Sequence, residues 1–402
     1  MPSDALQPAD PVTTQAVQSH VDEANLVALA SGMVPFASQI PNEGQLAEFL
    51  SGEMRKLGCF DEVILQPVVA GRCNVIGVVR GSGTGKNMLL NGHLDIPHPY
   101  GTWSRDPYQP AVEDGWLYGL GLGDMKAAVA CQIIAAAAVA RSGVARAGDL
   151  VVSAVVHHDV CGLGTKFFLS SWDEPIHAAI NGEPSDLKLQ VAHGGAWQFE
   201  ITVRGRAAHI SRSEDGVNAI SKMMTILRSL DASRLTYDPA QAVPGLPRLV
   251  VGEVQGGSSP SRTAERCTAR GDIRIVPRMT PASLKADLER LIADLRTLDP
   301  ELVAEVRGLV YQRPFRIDAD ATIVQLVRWA HETVTGRDAV ITDGLPVSSY
   351  VTDSSDLLRA GIPTVVYGPS DWQTVPDERV RVDDLVTAAR VYALAAARFI
   401  GG

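Results

Sequence analysis

Polar residues cluster where apolar runs end. In Asn91-Gly92-His93-Leu94-Asp95, His93 and Asp95 are two residues apart, and in an extended chain such residues share a face. An imidazole so placed can bind a metal while the carboxylate orients it, although an H-x-D spacing also arises by chance. Asp124 follows Gly121-Leu122-Gly123 at the head of an alanine-rich run, where helix capping alone would explain an aspartate. Glu183, in Asn181-Gly182-Glu183-Pro184, follows a third apolar run, and a turn explains it equally well. The stretch from Val155 to Thr165 looks like a strand running into a turn, with His158 and Asp159 at its tip. Imidazole titrates near working pH and can take a proton from water; a hydrogen-bonded structural histidine is the alternative. His157 points to the opposite face if the strand stays regular.

These residues need elements to bring them together. Apolar runs over 63–67, 74–79, 87–90, 150–157 and 178–181 read as strands, and 44–56 has helical spacing ended by Gly58. Short apolar strands alternating with helices imply a largely parallel sheet covered on both faces. In such sheets chemistry gathers beyond the carboxyl ends of the strands. His93, Asp95, His158, Asp159 and Glu183 all fall there. Near His193 the pattern changes to alternation, with Trp197, Phe199, Ile201 and Val203 on one side of a strand. A helix over 216–230, strands over 248–255 and 267–276, a helix over 281–298 and a strand over 302–310 follow. This β-α-β-β-α-β order is that of a ferredoxin-like insertion. Helices over 321–335 and 383–399 and a strand over 364–367 then complete the first domain. The expected organisation is a leader over 1–20, a catalytic domain over 21–192 and 309–402, and an inserted domain over 193–308.

The chain has 402 residues, 46% hydrophobic and 20% charged, ordinary for a globular protein of more than one domain. A net charge of −10 argues against nucleic acid as a partner, because phosphates require a basic face. The run from Ala127 to Ala140 is shorter than the roughly 20 residues that span a bilayer, so a buried helix is expected and no membrane partner. The cysteines, Cys59, Cys73, Cys131, Cys161 and Cys267, are odd in number and scattered. They suit a reducing cytoplasm rather than a disulfide framework. The first fifteen residues show no targeting signal and read as disordered.

The segment from Gly92 to Lys126, GHLDIPHPYGTWSRDPYQPAVEDGWLYGLGLGDMK, resembles metallopeptidase family M20, which includes carboxypeptidase G2-like, acetylornithine deacetylase-like and aminoacylase-like enzymes. The resemblance extends through GEPS at Glu183, RGRAAHISRSEDGVNAI from Arg204, TDSSDLLRAGIPTVVYGP from Thr352 and PDERVRVDDL from Pro376. It implies a zinc-peptidase-like α/β domain, a mixed sheet flanked by helices, with an inserted α+β ferredoxin-like lid and dimerisation domain. Family members usually hold two divalent metals. By motif, one site takes His93, Asp124 and Glu183, with Asp124 bridging and Asp95 orienting His93. The second site is depleted: its glutamate is Asp159, and its histidine is missing, with Thr374 nearest by alignment. One firmly held Mn, Zn or Co ion per chain is therefore expected. The family's general base corresponds to His158. His209 matches a lid histidine that reaches substrate across a homodimer. Arg262 and Ser355 occupy positions near the usual substrate contacts.

The implied activity is hydrolysis of a C–N bond in a small, carboxylated substrate. The altered base and single metal are compatible with deamination of an electron-poor aromatic amine such as 5-nitroanthranilate, the reaction of one relative in the resembled family. The alternatives are an amidohydrolase, deacylase or carboxypeptidase acting on an N-acyl amino acid or dipeptide, and an inactive binding protein.

Overall fold

In a computed structural model, residues 11–158, 162–231, 235–344, 350–371 and 376–401 are described. The chain forms two compact units. The first is Met1–Val191 with Arg316–Val347 and Thr352–Gly402; the second is Ala192–Phe315 with Ser348–Val351.

The first unit is built on an eight-stranded mixed sheet. Its order is Glu62–Val69, Arg72–Val79, Leu150–Val155, Met88–His93, Ala178–Asn181, Thr364–Val366, Leu189–Gln190 and Ile341–Thr342. Met88–His93 runs parallel to both of its neighbours, Leu150–Val155 and Ala178–Asn181. All three are buried along their whole length, which is why their apolar residues run consecutively rather than alternating. Leu89, Val151 and Ala179 lie in register and share a core with Phe168 and Leu357.

The helix Lys126–Arg141 is buried from Lys126 through Val139 and packs on Met88–His93 and on the helix Val382–Gly401. Its alanines allow that close approach, and Gly92 completes it: a Cβ there would meet Val129 Cγ2 at 2.8 Å. Among the described residues, no helix is long and apolar enough to cross a membrane. The expected disordered leader gives way from Pro11, where a helix, Pro11–Gln18, packs on Lys126–Arg141 and Val382–Gly401. Fully buried Val17 anchors it.

The second unit carries a four-stranded antiparallel sheet in the order Arg248–Gly256, Arg266–Ile275, Gly195–Arg204, Val303–Gln312, with helices Ala219–Ser229 and Pro281–Leu298. This is the split β-α-β order of a ferredoxin-like sandwich. Trp197, Phe199, Ile201 and Val203 all enter its core. Its last strand runs on to Gln312, past the expected boundary at 308, because Ala196 and Trp197 pair with Gln312 and Tyr311.

Candidate metal centre

Three parallel strands set the floor of the centre. His93 is the last residue of Met88–His93 and lies opposite Val155, the last residue of Leu150–Val155. Asn91 is level with Asn181, so the chain delivers Glu183 two residues beyond the same edge. After Val155 the strand does not stay regular: His157 has a φ of 60°. The turn carries His157 towards Arg72, whose Nη1 lies 2.7 Å from His157 Nδ1, and carries His158 into the centre.

His93 Nδ1 lies 2.9 Å from the main-chain oxygen of Asp95. A carbonyl only accepts, so Nδ1 bears a proton, and in the neutral ring Nε2 presents its lone pair. The orienting group from Asp95 is thus its carbonyl. Its carboxylate instead accepts the main-chain N–H of His158, at 2.9 Å, tying the two strand ends together.

His93 Nε2 is 3.4 Å from Glu183 Oε1 and 3.7 Å from Asp124 Oδ1. His158 Nε2 is 3.5 Å from the same Glu183 oxygen. All four side chains are buried. The distances exceed good hydrogen bonds, and Glu183 Oε1 accepts none among the described residues. A tetrahedral ion with bonds of about 2.0–2.2 Å separates its ligand atoms by about 3.3–3.6 Å, close to the spacings seen. Neutral imidazole and carboxylate are also the donors a divalent transition metal takes. His93, His158 and Glu183, whose ligand atoms lie within 4.8 Å of one another, fit such an ion, with Asp124 beside His93.

Asp124 does not cap the helix that follows it. The N-cap is Met125, without a side-chain bond, so capping does not account for the aspartate. Its loop is pinned by Glu378, whose Oε1 accepts the N–H groups of Gly123 at 2.5 Å and Asp124 at 3.2 Å. Lys126, buried beside them, donates to the Phe36 carbonyl at 2.8 Å. Burial brings both charged groups towards neutrality, Glu378 up to about 7 and Lys126 down to about 7.

Behind His158 stands Asp353, with Oδ1 3.0 Å from Nδ1. It opens the helix Ser354–Arg359 without capping it, which leaves the carboxylate for His158 and for Thr165 Oγ1, which donates at 2.8 Å. Gly162, at φ 61°, makes room: a Cβ there would lie 2.9 Å from Asp353 Oδ1. Burial alone would raise the Asp353 pKa, but the His158 ring and the Thr165 hydroxyl hold it near 2. Burial and the His158 ring oppose charge on His93; Glu183 and Asp124 outweigh both and push it up to about 10. For His158, burial is likewise outweighed, by Asp353 first and then Glu183, and its pKa is raised well above the usual value. The carboxylates make the pocket a place for positive charge.

A second buried network supports the turn. Glu43 pairs with Arg72 and its Oε1 accepts the His157 N–H at 3.1 Å.

Of the other residues expected from the sequence, Asp159 and Thr374 lie outside the described residues. Ser355 is buried, and its hydroxyl donates to the Thr352 carbonyl at 3.3 Å, a local bond at the helix start. In the second unit, His209 and Arg262 are exposed and joined by a β-bridge, and His209 Nδ1 lies 2.9 Å from Ser211 Oγ. Sequence reasoning missed the roles of Asp353 and Glu378. Both stand inside the motifs from Thr352 and Pro376, the only signal that marked them.

Residues 89–398 match the family described as Peptidase family M20/M25/M40. An N-formyl-4-amino-5-aminomethyl-2-methylpyrimidine deformylase of Halalkalibacterium halodurans is 24% identical over 92% of this chain and 93% of its own. An acetylornithine deacetylase of Erwinia tasmaniensis is 31% identical over 83% and 85%. Among solved structures, the di-peptidase Dug1p of Saccharomyces cerevisiae superposes with a TM-score of 0.76 at 12% identity, covering 98% of this chain and 100% of that one. With sequence motifs, fold and buried donors in agreement, the chain belongs to peptidase family M20/M25/M40 and is a metal-dependent hydrolase of C–N bonds.

Proposed function

We propose that this protein is an N-deacylase: it adds water across the C–N bond of a small N-acyl amine and releases a carboxylic acid and the free amine. The observation that carries this reading is the buried group of His93 and Glu183, at the ends of parallel strands, with Asp124 from the loop ahead of the helix Lys126–Arg141. The relatives that span most of the chain are a deformylase and a deacetylase, and each name describes removal of an acyl group. That similarity favours the deacylase over the aromatic deamination that the altered base suggested, for which no observation speaks.

In this reading His93, Asp124 and Glu183 hold one divalent ion. When bound, the ion supplies Lewis acidity that polarises a carbonyl and acidifies water. The chain does the rest. Asp95 fixes the His93 tautomer through its carbonyl, and Glu378 fixes the Asp124 loop. A base from the His158-Asp159 tip takes a proton from the attacking water and returns it to the departing nitrogen. On the second unit, His209 acts on the substrate oxygen across a homodimer, and Arg262 beside it offers a cation for a substrate carboxylate.

The test is a screen of protein reconstituted with Mn, Zn or Co against N-formyl and N-acetyl amines, dipeptides and electron-poor aromatic amines. Acid and amine released in equal amounts, only with metal, is the expected result. Ammonia without acid overturns the deacylase.

A further inference from the structure

We infer that His158 is itself a ligand of the divalent ion held by His93, Asp124 and Glu183, with Asp353 as the positioning residue behind it. This rests on the metal-centre reading above and departs from the sequence-based role of His158 as base.

The geometry treats the two histidines alike. His158 Nε2 and His93 Nε2 approach the same Glu183 oxygen at 3.5 and 3.4 Å. Their rings stack nearly parallel, 9° apart, with centroids at 4.2 Å, and both near nitrogens approach Glu183; on binding, each ring tilts to bring its in-plane lone pair onto one ion. His93, His158 and Glu183 can each offer an atom such that all lie within 4.8 Å of one another, and all three are buried. The far nitrogen of each ring faces an oxygen: Asp95 O, hydrogen-bonded to His93 at 2.9 Å, and Asp353 Oδ1, 3.0 Å from His158. An oxygen behind the distal nitrogen is the arrangement of ligating histidines, fixing the tautomer and strengthening the donor. Asp353 is placed for this by three independent features: an uncapped helix start, the Thr165 hydroxyl on its other oxygen, and a glycine at 162 that leaves it room. Both strand ends thus contribute one imidazole each.

X-ray absorption at the zinc edge of the full-length protein loaded with one equivalent of Zn tests this without a variant. The scattering should require two imidazoles per ion. Equilibrium dialysis against Zn should then show weaker binding in His158→Ala, and about 10–100-fold weaker binding in Asp353→Asn, with His158→Ala reduced to one imidazole. A wild-type spectrum with a single imidazole, or unchanged Zn affinity in both variants, overturns the inference while leaving the proposed metal centre intact. Failure of the wild-type protein to bind Zn, Mn or Co at all overturns both.

Discussion

His93 and His158 stack face to face, centroids 4.2 Å apart, each with its distal nitrogen against an oxygen and its near nitrogen towards Glu183. Two imidazoles so close oppose each other's protonation, yet the surrounding carboxylates demand positive charge. In the proposed centre, a divalent ion on the two neutral rings would satisfy both.

His93→Ala should therefore lose metal and hydrolysis together. The loss of affinity should exceed the about 10–100-fold that changes behind a ligand produce. Dialysis and turnover on the same preparation check this; retained turnover in metal-depleted His93→Ala would contradict it.

Metal also links to stability. An ion that binds only the folded chain stabilises it by about 2.7 kcal/mol at about 100 times its Kd. Chelation should lower the unfolding midpoint, and readdition should restore it. His93→Ala should show neither response in a thermal melt.

Glu378→Ala removes the acceptor shared by the Gly123 and Asp124 N–H groups. Leaving buried donors unpaired costs about 1–3 kcal/mol, readable by urea unfolding. Metal affinity should fall with it, because the loop no longer holds Asp124.

Glu43→Ala leaves Arg72 buried at 6% exposure with its main anionic partner gone. Breaking such a pair costs about 3–5 kcal/mol. Unfolding free energy should fall by that order, far more than for removal of the exposed pair between Lys56 and Glu53, which is worth about 0–1 kcal/mol.

In the proposed function His209 acts on the neighbouring subunit's substrate. Mixing His93→Ala with His209→Ala protein, each inactive alone, should regenerate one working site per mixed dimer. Activity that stays at background after subunit exchange would place His209 elsewhere.

Much of this was legible in the sequence because burial on both faces of a sheet leaves a simple signature. Met88–Leu90 and Ala178–Ile180 are unbroken apolar runs, and the polar residues that follow each become candidates. The alternation through Trp197, Phe199, Ile201 and Val203 likewise exposes a one-faced sheet and hence the inserted unit. The turn at His157 left no such mark. Its positive φ is adopted by a residue other than glycine, so the strand expected to reach His157 ends at Val155. The pairing of Asp353 with His158 was hidden for a different reason. It joins two distant segments, and an aspartate at a helix start reads first as a cap. Only the uncapped geometry shows the carboxylate turned to other use. Pro11–Gln18 escaped notice because its composition is mixed; among its described side chains Val17 is the buried one.

The most direct measurement is where the oxygen of water goes. Metal-loaded enzyme turning over an N-formyl or N-acetyl amine in heavy-oxygen water should place one labelled oxygen in the released acid and none in the amine, with no ammonia. Label in a hydroxyl on the amine-derived fragment, with the free amide released in place of the acid, would contradict the account.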